Sequence, residues 1–464
     1  MCGIICSKSN IDDALKRLHH RGPDSSTILK VNQLNFGFVR LAINDKTPKG
    51  MQPFQYKHYI ALFNAEIYNY KELILKYNLE VNSQSDTEVI LPLFEKFGVE
   101  IINLLDGFFS GVIFDTKKLK LYTIRDFIGK KPLFLIESHN EKFITSELKV
   151  FDQIHHFQII PKGFSYIENF QKINLIKSYS FDITNNNLDN LLHSAVKKRI
   201  PCERFGIFLS GGIDSSIIAY IALKYSKNIQ FYTLANPNSR DFKSVQLLKE
   251  HLHIKNLKFI KLPNKEILKR LIKEVVFHTE SYNPSIISNG IGTYLLSKEA
   301  KKDGLKVVLG GDGADEIFSG YTGIYKENIK IKDRLLNDLH FTELRRIDAC
   351  SMAHSIELRV PYLDRKLVSF SNNLEEIQLK NKKILRDTFV DHLPLYITQR
   401  EKISFDRGSG LRKGVVSILR ENGLSEKENL FKIWKDFFQI EESINPYFHS
   451  YPVFDKYITN RSES

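Results

Sequence analysis

The chain has little cysteine, no long apolar run and no dense basic tract, and each of these absences removes a class of protein. Four cysteines in 464 residues, at positions 2, 6, 202 and 350, form neither a disulfide framework nor a paired metal-ligand spacing, so we expect reduced thiols. No uninterrupted apolar stretch reaches the length of a membrane span, and Lys8 lies where a signal peptide would be apolar. We therefore expect a cytoplasmic protein with no membrane partner.

The positive charge is spread along the chain. A net charge of +13 and a pI near 9.2 would permit binding to nucleic acid. However, the lysines are scattered, and no aromatic residues interleave with them to form a base-stacking platform. A solvated, lysine-rich surface is the favoured interpretation, so we expect no nucleic-acid partner.

The length and the patterning predict two domains. A chain of 464 residues exceeds what one core usually serves. The first half has short apolar or alternating runs broken by turns, which predict strands, and one amphipathic helix over 85–97. The predicted strands lie at 34–43, 59–63, 108–114, 120–124 and 132–136.

In the second half, apolar runs alternate with helical stretches, which is typical of a parallel sheet wrapped by helices. These runs lie at 205–209, 230–234, 258–262 and 306–309, and a polar, Asn-rich linker at 184–187 separates the two halves.

Cys2 is a candidate nucleophile. Removal of Met1 would leave a thiol and a free α-amine on one residue, and an α-amine has a pKa low enough to accept the thiol proton near neutrality. The competing interpretation is a small apolar residue at the start of a buried strand.

A glycine-rich loop follows the first predicted strand of the second half, with the sequence Ser210-Gly211-Gly212-Ile213-Asp214-Ser215-Ser216. A Gly pair lets the backbone approach an anion, and the following helix directs its free N–H groups toward it. Asp214 would not suit a phosphate unless a divalent cation intervened. The loop lacks the lysine of the GxxxxGK[ST] motif, so it predicts a polyphosphate and a metal without ordinary γ-phosphoryl transfer.

SGGIDSS looks like the pyrophosphate loop of ATP pyrophosphatases. Together with the N-terminal Met-Cys-Gly-Ile, it makes the chain resemble the glutamine-dependent asparagine synthetases along nearly its whole length. Further matches in family order are His20-Arg21-Gly22-Pro23-Asp24, Arg40-Leu41-Ala42-Ile43, Asn64-Ala65-Glu66-Ile67-Tyr68-Asn69, Ser85-Asp86-Thr87-Glu88, Arg125-Asp126-Phe127-Ile128-Gly129, Gly311-Asp312-Gly313-Ala314-Asp315-Glu316 and the segment 351–364.

The resemblance implies a class II glutamine amidotransferase domain over 1–181, an α+β N-terminal-nucleophile fold with a layered β-sandwich and helices. It implies an ATP-pyrophosphatase synthetase domain over 188–464, an α/β parallel-sheet pyrophosphate-loop fold. ATP and Mg²⁺ are the implied cofactors, and glutamine and a carboxylate such as aspartate are the implied small-molecule substrates.

In the first domain the resemblance implies a glutamine site built around Cys2. Arg40 would pair with the substrate α-carboxylate, and Glu66 and Asp86 would accept from its α-ammonium. Asn64 and the backbone N–H of Ala65 would form the oxyanion hole. The family usually has glycine where this chain has Ala65, so a positive φ or a tight approach there would be strained and would modestly reduce glutaminase activity. The implied glutamine-binding residues are Arg40, Leu41, Ala42, Ile43, Asn64, Ala65, Glu66 and Asp86.

Two of these residues have simpler explanations from the sequence alone. Arg40 would otherwise be a surface charge in a strand, and Asp86 a residue at a helix N-terminus.

In the second domain the resemblance implies a nucleotide site. Asp214 and Asp315 would hold Mg²⁺, and Asp312 and Lys402 would act in forming the acyl-adenylate and in neutralising charge on the phosphate. Lys402 is otherwise an exposed loop lysine. The implied ATP-binding residues are Leu209, Ser210, Gly211, Gly212, Asp214, Ser215, Ser216, Leu234, Gly310 and Gly311.

The acceptor remains open at this point. The segment 281–290 offers Ser288 and Asn289, where the two carboxylates of aspartate would ordinarily call for a cation. A sugar or secondary-metabolite acid is therefore an alternative acceptor. An RNA-modifying pyrophosphate-loop enzyme is an alternative function. Glu357, Arg359 and Asp364 fit either a buried ion network or site residues.

Two expectations concern how the implied domains work together. The resemblance implies two half-reactions, in which glutamine releases ammonia and an acyl-adenylate takes it up, and hence an apolar passage for ammonia between the domains. A homodimer is kept as an open alternative for the assembly.

Overall fold

The computed structural model describes residues 2–180, 187–321 and 330–450. These residues form two compact units. The first comprises the described residues up to Ser180 together with Phe437–Ser443, and the second comprises the remaining described residues. The expected linker at 184–186 lies outside the described residues, while Asn187 caps the first helix of the second unit by accepting from the Asp189 N–H at 2.7 Å.

The first unit is built from two antiparallel six-stranded sheets. Its strands are β1 (Gly3–Ser7), β2 (Ser25–Val31), β3 (Leu34–Arg40), β4 (Phe54–Tyr56), β5 (Tyr59–Ile67), β6 (Gly107–Asp115), β7 (Lys120–Arg125), β8 (Phe134–Ser138), β9 (Glu141–Thr145), β10 (Gln153–Ile154), β11 (His156–Ile159), β12 (Gly163–Glu168) and β13 (Lys172–Lys177). One sheet has the order β11-β8-β9-β1-β3-β2, and the other has the order β13-β12-β7-β6-β5-β4.

The layering of the first unit follows from the alternation of side chains along its strands. In β5, Ile60 and Leu62 join a core that contains residues of both sheets. Ala61 and Phe63 point the other way, into a second core shared with helices. The helices of this unit are α1 (Asp12–Arg17), α2 (Tyr70–Tyr77), α3 (Ile90–Phe97) and α4 (Ile101–Leu104). The predicted layered α+β sandwich is confirmed.

The second unit contains a five-stranded parallel sheet. Its strands are β14 (Phe205–Phe208), β15 (Ile229–Leu234), β16 (Leu257–Ile260), β17 (Val307–Leu309) and β18 (Glu357–Arg359). The two-residue β19 (Gln439–Ile440) belongs to the first unit, where it pairs with β10. The sheet order is β16-β15-β14-β17-β18. The chain therefore moves outward from β14 to β16 and returns to the other side of β14, which creates a switch point between β14 and β17.

Helices connect these strands and continue after them. They are α5 (Leu188–Lys197), α6 (Ile213–Tyr225), α7 (Arg240–His251), α8 (Lys265–Thr279), α9 (Pro284–Lys302), α10 (Ala314–Ile317), α11 (Lys330–Asp338), α12 (Glu343–Met352), α13 (Arg365–Asn372), α14 (Glu376–Leu379), α15 (Lys383–Thr388), α16 (Leu395–Thr398), α17 (Phe405–Gly408), α18 (Leu411–Leu419), α19 (Glu426–Lys435) and α20 (Pro446–His449). No helix in the described part of the chain is long and apolar enough to cross a membrane.

Two predicted elements differ in the structure. The helix expected over 85–97 begins only at Ile90, because the preceding residues form turns in which the Asp86 carboxylate accepts from the Ile67 N–H at 2.7 Å. The strand expected over 34–43 ends at Arg40. The strand β18 was not predicted from the sequence, because its charged residues hide the apolar pattern.

Candidate active site

Cys2 lies directly before β1, and its backbone is held on both sides. Its N–H donates to Asn64 Oδ1 at 3.1 Å, and its carbonyl accepts from Arg21 Nε at 3.0 Å. Arg21 is fully buried and donates in turn to Glu147 at 2.7 Å. The Cys2 side chain, 9% exposed, lines a cavity of the first unit. The thiol therefore has a fixed backbone and access to a ligand.

Asn64 lies in β5 and combines two functions at one side chain. Its Oδ1 accepts from Cys2, while its Nδ2 is buried and has no hydrogen-bond partner among the described residues. A buried amide donor without a partner is costly, and an oxyanion formed at Cys2 would satisfy it. Ala65 follows in the same extended strand, paired with Phe109. The expected strain from a positive φ at Ala65 is therefore wrong.

The residues expected around glutamine gather in this one cavity. Its wall includes Cys2, Arg40, Leu41, Ala42, Ile43, Ala65, Glu66 and Asp86, whereas Asn64 lies behind the wall. Arg40 comes from the end of β3, and Glu66 from β5. The cavity thus presents a guanidinium and two carboxylates near a thiol, which complements the two charged groups of an amino acid.

The charged groups of this cavity are buried and fixed. Arg40 is 7% exposed and donates to the carbonyl oxygens of Thr47, at 2.7 Å, and Asp45. The Asn44 amide bridges Glu66 and Asp86, at 3.2 and 2.9 Å. Arg40 is therefore not a surface charge, and Asp86 does not lie at a helix N-terminus.

The second cavity lies at the switch point of the parallel sheet, where the loops after β14 and β17 meet. The first of these loops contains Gly211, which has a φ of +70° and whose carbonyl accepts from Ser244 at 2.9 Å and from Arg400 at 2.6 Å. A side chain at 211 would meet Ser244 at 2.8 Å. These bonds fix the loop from its carbonyl side. Within the loop, the Ser210 N–H donates to the Ser215 hydroxyl at 3.2 Å and the Gly212 N–H donates to the Ser210 hydroxyl at 3.4 Å.

Asp214 and Asp315 face each other across this cavity, with two ammonium groups beside them. Lys382 Nζ lies 2.6 Å from oxygens of both carboxylates, and Lys402 pairs with Asp315 and lies 4.0 Å from Asp214. Burial would raise the pKa of the Asp315 carboxyl, but the two ammonium groups lower it to about 2. Burial would also lower the pKa of Lys402, but Asp315 and Asp214 raise it. The Asp315 carboxylate and the Lys402 ammonium are therefore both charged at neutral pH.

Most of the residues expected to bind nucleotide line this cavity. They are Leu209, Ser210, Gly212, Asp214, Ser215, Gly310, Gly311, Asp312, Asp315 and Lys402. Gly211 acts through its backbone, Ser216 donates to the carbonyl of Gly212 within α6 at 2.8 Å, and Leu234 is buried at the end of β15. These last three are not part of the wall.

Sequence reasoning missed four basic residues of the wall and two acidic ones, namely Lys382, Arg346, Arg386, Arg400, Asp241 and Glu401. Arg346 donates to Asp312 at 2.7 Å and to the Thr293 hydroxyl at 2.6 Å. Arg400 pairs with Asp241 at 2.5 Å. These residues come from several different helices and loops and carry no local motif, so only the fold brings them together.

Ser288 and Asn289, which were expected near the acceptor, do not belong to the wall of the second cavity. Ser288 is buried and donates to Asp406 at 2.7 Å, and Asn289 accepts from the Asp406 N–H at 3.2 Å. Thr293 and Leu296, further along the same helix α9, line the cavity instead.

Glu357, Arg359 and Asp364 belong to buried ion pairs. Arg359 donates to Glu357 at 2.6 Å, and Arg199 donates to Asp364 at 2.8 Å. The interpretation of these three residues as a buried ion network is therefore favoured over a role in the site.

The donor set fits a magnesium ion that relies on its substrate for further ligands. In the described ranges, no cluster of three or more His, Cys, Asp or Glu side chains could enclose a metal. Mg²⁺ is usually held by one or two carboxylates together with phosphate oxygens and waters. Asp214 and Asp315 already hold one cationic group, the Lys382 ammonium, between them.

Comparison with known proteins assigns both halves of the chain. Residues 1–180 match the family model of a glutamine amidotransferase domain, and residues 187–338 and 334–435 match that of asparagine synthase. The glutamine-hydrolyzing asparagine synthetase of Homo sapiens is 31% identical over 494 aligned positions, which cover 91% of this chain and 87% of the human protein. That of Gallus gallus is 30% identical, with the same shares covered.

Proposed function

Since the chain belongs to the asparagine synthase family and carries a glutamine amidotransferase domain, we propose that it forms asparagine from aspartate, glutamine and ATP. The observation that carries the proposal is the cavity at the switch point. It combines a glycine-rich loop with two carboxylates and two ammonium groups, a set suited to a metal-bound polyphosphate.

The first half-reaction releases ammonia from glutamine at Cys2. With Met1 removed, the α-amine of Cys2 accepts the thiol proton, and Asn64 Oδ1, which accepts from the Cys2 nitrogen, orients that amine. The thiolate attacks the side-chain amide carbon, and the Asn64 Nδ2 and the Ala65 N–H stabilise the oxyanion. Ammonia leaves, and water then hydrolyses the thioester to glutamate.

Arg40 and the pair Glu66 and Asp86 hold glutamine at its two charged ends in this half-reaction. Their partners Thr47, Asp45 and Asn44 keep them in place before the substrate arrives. Such fixed groups reduce the entropy lost on binding.

The second half-reaction activates the acceptor. An oxygen of its carboxylate attacks the α-phosphorus of ATP, pyrophosphate leaves, and an acyl-adenylate forms. Ammonia then attacks the acyl carbon, and AMP leaves. Asp214 and Asp315 would hold Mg²⁺, which when bound neutralises charge on the pyrophosphate. Lys382 and Lys402 add positive charge on the same side, where negative charge grows as the bond breaks.

A different carboxylic acid is the second candidate acceptor. Part of the cavity wall is apolar, formed by Leu296, Leu358, Ile403 and Phe405. Ser288 and Asn289 are bonded to Asp406 and offer no cation. A less polar acid than aspartate would bury more apolar surface against this wall.

The test is a pyrophosphate-release assay with ATP, Mg²⁺ and ammonia, run over a panel that includes aspartate, succinate, sugar acids and hydroxy acids. We expect aspartate to give the highest rate and asparagine to be the product by mass spectrometry. If aspartate gives no pyrophosphate release and another acid does, that acid is the acceptor and the reaction class stands. Silence with every acid would contradict the proposal.

A further inference from the structure

Arg386, in α15, joins two loops through its guanidinium group. Its Nε donates to the carbonyl oxygen of Asn381 at 2.8 Å. Its two terminal nitrogens donate to the carbonyls of Thr398 and of Arg400, the latter at 3.0 Å. All three partners are backbone atoms, so their positions depend on the fold of the loops and not on any side-chain rotamer.

The bonded carbonyls lie next to the two lysines of the cavity. Asn381 immediately precedes Lys382, and Arg400 precedes Lys402 by two residues. The two ammonium groups meet at Asp315, which pairs with both. Arg386 therefore bonds to the backbone of each loop close to its lysine, while the side chain of each lysine reaches the same carboxylate.

The backbone at Lys382 is in a conformation that needs support. Asn381 and Lys382 are consecutive residues with φ of +52° and +57°, in the left-handed region that non-glycine residues rarely occupy. This pair of left-handed residues turns the chain so that Lys382, 1% exposed, points into the acidic pair. The bond from Arg386 to the Asn381 carbonyl holds this turn.

A guanidinium is suited to this task because its N–H groups form a rigid planar fork. Three carbonyls at fixed directions can be bonded at once, whereas an ammonium on a flexible stem has no such geometry. We propose that Arg386 is a positioning residue that holds the Lys382 loop and the Lys402 loop together, so that both ammonium groups face the departing pyrophosphate. The proposal deepens the proposed function and rests on it for the identity of the leaving group.

The expected consequence is a loss in the adenylation step alone. Displacement of a charged group by about 1 Å can cost on the order of 100-fold in rate. For Arg386→Lys we expect kcat of ammonia-dependent pyrophosphate release to fall about 30-fold with a smaller change in KM for the carboxylate. We also expect weaker binding of magnesium pyrophosphate. Hydrolysis of glutamine without ATP should be unchanged.

The experiment compares Arg386→Lys and Arg386→Ala with Arg407→Lys as the matched control, since Arg407 is an exposed arginine of the nearby α17. Each variant is assayed for pyrophosphate release, for glutamine hydrolysis, for binding of magnesium pyrophosphate by calorimetry, and for its melting temperature. Arg386→Ala is also assayed with millimolar guanidinium, far below denaturing concentrations, because the free ion can occupy the vacated position and bond the same carbonyls.

The inference is supported if Arg386→Lys loses adenylation and pyrophosphate affinity at a normal melting temperature, and if guanidinium restores part of the activity of Arg386→Ala. It is overturned if Arg386→Lys matches the wild type, or if the loss tracks a lowered melting temperature and guanidinium restores nothing. A wild type that binds pyrophosphate but releases none from ATP would contradict the proposed function. The calorimetric comparison would then still decide the role of Arg386.

Discussion

Gly320→Ala is expected to disable the second cavity while leaving the first intact. A Cβ at this position would lie 1.9 Å from Asp315 Oδ1 and 2.3 Å from Lys382 Cε. Gly320 thus lets the lysine side chain pass beside the carboxylate, and neither neighbour is loose, since each is held by an ion pair to the other.

The size of the effect follows from these distances. To reach the 3.4 Å at which ordinary contact begins, the Asp315 oxygen must withdraw by about 1.5 Å, or the backbone must shift by a similar amount. A misplacement of this size at a charged group predicts a loss on the order of 100-fold in kcat for pyrophosphate release. Overpacking of this kind costs typically about 1–3 kcal/mol of stability, so the protein should remain folded.

The assay is ammonia-dependent pyrophosphate release, with glutamine hydrolysis and thermal melting measured on the same preparation. Gly414→Ala is the control. Gly414 lies in helix α18, and a Cβ there meets only a methyl group of Leu268, at 2.8 Å. Pyrophosphate release by Gly320→Ala within twofold of the wild type would refute the reasoning that this close approach sets the position of Asp315.

Three further predictions concern other parts of the molecule. Cys2→Ala should abolish glutamine-dependent amide formation and keep the ammonia-dependent rate; loss of both rates would contradict separate sites. Asn64→Ala should lower kcat for glutamine hydrolysis by about 10²–10³-fold, since it removes the buried Nδ2 donor, and an unchanged rate would exclude the oxyanion role. Burial, aided by the nearby lysines, lowers the pKa of His354 to about 4 from an ordinary value of 6.5. The folded state thus resists protonation at His354, so the melting temperature of the wild type should fall as the pH drops from 6.5 toward 4. The melting temperature of His354→Phe should fall less over the same range.

The apolar runs of the first half predicted five of its strands, namely β3, β5, β6, β7 and β8, because these runs are largely buried in its cores. Ile60 and Leu62 alternate with Ala61 and Phe63, and both faces of β5 are buried. The start of α3 was predicted wrongly because Asp86 resembles a helix-capping residue but uses its carboxylate to bond a neighbouring strand. A local pattern cannot show which distant N–H a side chain will bond.

The same limit applies to the second cavity. The loop Ser210–Ser216 and Asp315 could be found from the sequence because each lies in a compact, strand-following motif. Lys382 lies in no motif, and it reaches the cavity through two left-handed residues that no propensity predicts. Its partners Asp214 and Asp315 are separated from it by long stretches of chain, so its contribution is visible only in the folded sheet.

The strand β19 has a consequence for how the chain can be divided. Gln439–Ile440 adds to β10 in parallel, and His155 bonds Glu441 at 2.8 Å, so the first unit takes one of its strands from near the end of the sequence. During synthesis this unit stays incomplete until residues 437–443 have left the ribosome. A fragment ending at residue 180 would leave the β10 edge uncovered and prone to pairing with another chain.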